Sequence, residues 1–77
     1  MDKAEMLNEA REMIDEMSES EAKMVLAYAQ LLHGKDPDAG AEVLQSLYDS
    51  LLLMESSGAG QAPADVLARL SAMLQPA

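Results

Sequence analysis

The sequence predicts an all-α fold, a small bundle of four helices made of a helical hairpin and two further helices, and three observations carry that prediction. Apolar residues recur at three- and four-residue spacing in four separate segments. Capping and helix-breaking residues stand between those segments. One segment, Ser18 to Gly34, leaves almost no polar face, because Ala22, Met24, Val25, Leu26, Ala27, Tyr28, Ala29, Leu31 and Leu32 crowd it. A helix that apolar is expected at the centre, covered by its neighbours.

The first helix is predicted over residues 2–17, with Asp2 and Glu5 as a capping pair and Met6, Leu7, Ala10, Met13, Ile14 and Met17 as the core-facing stripe. At 100° per residue, Glu5, Glu9, Glu12, Glu16 and Glu19 fall in a narrow band away from that stripe, if the helix runs on to Glu19. Like charges three and four apart cost about 0.2–0.5 kcal/mol per pair, and Lys3 and Arg11 lie off the band. The second helix, over residues 19–33, pairs with the first as a hairpin through a short turn. It begins with the capping-box spacing of Ser18 and Glu21 and carries His33 in its last turn. Gly34 is expected to end it in the left-handed conformation.

Asp36 as N-cap, Pro37 at the first position and Asp38 in the first turn start a third helix, predicted over residues 37–55. Its stripe is Val43, Leu44, Leu47, Tyr48, Leu51 and Leu52. Leu51 to Met54 are four large apolar residues in succession and cannot all point one way, so Leu53 and Met54 are surplus to the core face. Residues 56–62 read as a flexible small-residue linker. Pro63 then opens a last helix over residues 63–75, with Val66, Leu67, Leu70, Met73 and Leu74 as its stripe and Pro76 as its stop. Ala22, Val25, Leu26, Ala29, Leu44, Leu47 and Leu51 are expected among the most buried positions. The whole is one domain over residues 1–77.

A chain of 77 residues with no Cys, Phe or Trp has a small core and no disulfide to support it. The remaining device is a second subunit. The surplus on the third and fourth helices leans the expectation to a homodimer, against a closed monomer in which the last helix folds back.

Fourteen acidic residues against five basic ones, a formal charge of −9, argue against direct binding to nucleic acid or to an anionic membrane. A partner recruited by charge is therefore expected to be a basic protein. The N-terminal Met1-Asp2-Lys3-Ala4-Glu5 has no signal-peptide character, and the longest nearly apolar run, Met24 to Leu32, is too short to span a bilayer. A cytoplasmic protein is the expectation. Catalysis needs convergent groups, and one His with carboxylates on a solvent face does not supply them, so no enzyme, metal site or cofactor is expected. Asp36 to Glu42 has a superficial likeness to a calcium loop but lacks a third oxygen ligand before the glycine and a distant glutamate, and reads as turn and cap.

Two functional readings remain. Asp49-Ser50-Leu51 resembles the attachment motif of acyl carrier proteins, a family of similar length, acidity and helical content whose serine carries a phosphopantetheine arm. The resemblance covers three residues and implies Ser50 as the attachment site. In that family the serine opens a helix after a long loop, whereas Ser50 falls inside the helical pattern from Val43 to Leu52. The preferred reading is a non-catalytic interaction module, a regulator or inhibitor in the manner of antitoxins, anti-activators and phage-encoded inhibitors. Its row Glu5, Glu9, Glu12, Glu16 and Glu19 would dock on a basic, nucleic-acid-handling protein, with Leu53 and Met54 as further contacts.

Overall fold

The computed structural model describes residues 2–58 and 60–74, and only the backbone of Lys3. Every regular element among them is helical: α1 (Lys3–Glu16), a 3₁₀ turn (Glu19–Glu21), α2 (Ala22–Lys35), α3 (Pro37–Ser57) and α4 (Ala64–Leu74). Ala59 of the expected linker and the expected stop at Pro76 lie outside the described residues.

The caps follow the sequence signals. The Asp2 carboxylate accepts the Glu5 N–H at 2.9 Å and opens α1. The Ser18 N–H donates to the Glu21 carboxylate at 3.0 Å across the turn into α2. Asp36 accepts the Ala39 N–H at 3.3 Å, with Pro37 beginning α3. The ends of α2 and α3 differ from expectation. Gly34 does not leave α2, which runs through it to Lys35; the chain turns at Asp36, held extended before Pro37. The left-handed glycine is Gly58, at φ 78°, which ends α3. Ser56 and Ser57 belong to that helix, their hydroxyls bonding to the carbonyls of Leu53 and Met54.

The core is formed by Met6, Ala10 and Ile14 of α1, Val25, Leu26, Ala29 and Leu32 of α2, Val43, Leu44, Leu47 and Leu51 of α3, and Val66 and Leu70 of α4. All seven positions expected to be most buried are buried. The pair α2 and α3 forms the main contact, so close at the corner between them that a Cβ on Gly40 would fall on the backbone of His33. Both α1 and α4 pack on that pair.

The Cα atoms extend 35 × 30 × 15 Å. The thin dimension is that of two helix layers, with axes about 8–10 Å apart and Cα atoms about 2.3 Å from each axis. In two layers no helix is surrounded. This corrects the expectation for α2, whose inner side is buried while Met24, Ala27 and Leu31 are exposed.

The connection from α3 to α4 is also not the free tether its composition suggested. The Gln61 N–H donates to the Glu19 carboxylate at 2.8 Å, Gly60 passes against Glu19 and Met54, and Ala62 is buried. The last helix folds back, burying Val66 and Leu70 within its own chain. Four helices therefore hide more of the apolar surplus than the dimer argument assumed, and Leu52 and Leu53 are what α3 leaves uncovered.

Candidate interaction surface

The carboxylate row begins on α1, where the core stripe fixes the rotation of the helix. Because Met6, Ala10 and Ile14 point inward, Glu5, Glu9, Glu12 and Glu16 point to solvent, and all four are exposed. No ion pair among the described residues engages them. Arg11, on the other flank, pairs with Glu42 of α3. Glu9 accepts the Tyr28 hydroxyl of α2 at 3.3 Å. Partial burial and the Glu9 charge together push the Tyr28 hydroxyl pKa up.

Glu19 does not continue the row. α1 stops at Glu16, Met17 turns extended, and Glu19 opens the 3₁₀ turn, so the 100° projection no longer applies. Its carboxylate fastens the α3–α4 connection through Gln61.

Leu53 and Met54 stand on the opposite flank of α1. Leu53 is 67% exposed and Met54 half-buried, along a shallow groove shared with Ile14, Asp15 and Met17. None of the row's carboxylates lines that groove. The structure thus separates two sets of residues that the sequence reading placed on one docking surface. Ser50 borders the same side, half-buried in the interior of α3 against Ile14 and Asp15. It does not open a helix, as the serine of the carrier family does.

A further surface was missed in the sequence. Met24, Ala27 and Leu31 form a stripe along the outer side of α2, with Tyr28 half-buried at its edge toward α1. The opposite edge is marked by Lys23, paired with Asp65 of α4 at 3.1 Å. That hydrogen bond, aided by backbone N–H groups of the α4 first turn, holds the Asp65 carboxyl below its usual range. A recess between α2 and α4 adjoins Ala27, lined by Lys23, Gln30, Asp65 and Arg69. The signal for the stripe in the sequence is helix-wide apolarity in a chain with three other predicted helices to cover it.

Among the described residues no three His, Asp or Glu side chains converge as metal ligands, and no helix is long and apolar enough to cross a membrane. Comparison with protein-family models, curated proteins and solved structures gives no match.

Proposed function

We propose that this chain is a non-catalytic protein–protein interaction module, a small acidic regulator or inhibitor that docks on a basic, nucleic-acid-handling protein. The observation that carries the reading is the exposed row of Glu5, Glu9, Glu12 and Glu16 on one face of α1, with its cationic neighbour Arg11 turned away to Glu42. Self-repulsion along such a face costs stability, whereas clustered carboxylates draw a cationic surface and speed its encounter. A cytoplasmic setting belongs to the same reading. A homodimer does too, now with Leu52 and Leu53 as the apolar surface it would cover.

The test begins with capture of the partner from the native host and measurement of its association rate against salt. Replacing the four glutamates by Gln is expected to slow association, flatten its salt dependence and leave stability unchanged or slightly raised. Unchanged affinity at low salt would leave the row as a solvated face and end this reading.

A further inference from the structure

The outer side of α2 presents Met24, Ala27, Tyr28 and Leu31 at positions i, i+3, i+4 and i+7, the spacing at which one helix meets another. Met24 and Leu31 are 57% and 56% exposed, and both are large apolar side chains. The stripe spans two turns, about 10 Å at 1.5 Å per residue. Its two edges differ in charge. On the α1 edge, the Tyr28 hydroxyl reaches the Glu9 carboxylate at 3.3 Å, which places Glu9, a member of the exposed α1 row, at the border of the stripe. On the α4 edge, Lys23 is held by Asp65, and Lys35 stands at the C-terminal end.

We propose that this stripe seats an amphipathic basic helix of the partner protein, its apolar side over Met24, Ala27 and Leu31 and its lysines or arginines turned toward the α1 carboxylates. The proposal rests on the acidic-row reading and adds to it the surface that supplies most of the contact. Charge complementarity selects this occupant over a second copy of the chain, which brings its own −9 to the same face. In the antiparallel arrangement two copies would also lay row against row. Desolvating Met24 and Leu31 supplies affinity that exposed ion pairs alone do not, and the row orients the helix and speeds its arrival.

The probe is a synthetic Leu/Lys peptide of about 14 residues with one apolar face, beside a scrambled peptide of the same composition that has none. Binding to the full chain is followed by amide NMR and calorimetry. The amphipathic peptide is expected to shift residues 24–31 and the outer face of α1. Met24→Ser with Leu31→Ser is expected to weaken it by about tenfold or more, and Leu52→Ser with Leu53→Ser by less than about twofold. Circular dichroism of both exposed-site variants checks that the fold is intact.

Equal losses in the two variants, or equal binding of the scrambled peptide, would overturn the stripe and leave the acidic row standing by itself. Peptide affinity unmoved by the four Glu→Gln changes would overturn the charge argument and the functional reading with it. A dimer that sediments as monomer once Met24 and Leu31 are replaced would make the second copy the occupant and overturn the proposal while sparing the row.

Discussion

Leu31 and Leu32 are adjacent and chemically identical, yet Leu31 is 56% exposed and Leu32 is fully buried. The difference extends to the two sides of α2. Inward, Val25, Leu26, Ala29 and Leu32 are buried in the core; outward, Met24, Ala27 and Leu31 stay exposed, with Ala27 at the rim of the recess toward α4. Composition makes the two sides look equivalent. The two-layer arrangement does not, because a slab buries one side of each helix and leaves the other to solvent or to a partner. An apolar side that the fold does not use is therefore informative about what the molecule touches, provided it is large and contiguous.

The largest effect expected from that contrast is a matched pair of aspartates. Leu26→Asp places an unpaired charge in the core and is expected to abolish the helical circular dichroism of the folded chain. Leu31→Asp, five residues on, is expected to change stability by no more than about 0.5 kcal/mol in a urea titration. A comparable loss in both would mean that the outer side of α2 is covered in solution.

A second contrast lies at the α2–α3 corner, where two glycines six residues apart have opposite surroundings. A Cβ on Gly40 would collide with the backbone of His33, so Gly40→Ala must force the main helix pair apart, at about 1–3 kcal/mol. A Cβ on Gly34 would meet nothing within 4 Å, and its backbone is helical. Gly34→Ala is expected to stabilise by about 0.4–1 kcal/mol, chiefly by restricting the unfolded chain. Thermal unfolding of the two single variants should move in opposite directions.

The smallest effect is a titration. Glu21 accepts the Ser18 N–H and then the Ser18 hydroxyl, and both hold its carboxyl below the usual range in the folded chain. A folded-state pKa below the unfolded one means that the cap contributes stability above the ordinary carboxylate range. That contribution is lost as pH falls through the lower, folded value. Ser18→Ala removes the hydroxyl and spares the larger backbone bond, so an NMR titration of Glu21 should show its pKa returning part of the way. A complete return would assign the shift to the hydroxyl.

Local signals in the chain determined where the first three helical segments begin and which side of α1, α3 and α4 faces inward. Asp2, Ser18 with Glu21, and Asp36 before Pro37 act within one turn of backbone, and the inward stripes are set by the 3.6-residue period, so neither needs the rest of the fold. The exposed run of Glu5, Glu9, Glu12 and Glu16 was legible for the same reason. What depends on residues distant in sequence was decided only by tertiary structure. Gly34 carries a stop signal, yet Asp36 and Pro37 make the turn and Gly58 takes the left-handed backbone. Glu19 falls on the projected band but is drawn to Gln61, forty-two residues away, and so fastens a connection whose composition suggested a tether. Leu53 is exposed as expected, but on the flank of α1 away from the carboxylates. The open side of α2 is the largest such decision, since the number of neighbours a helix acquires is a property of how all four pack and not of any one segment.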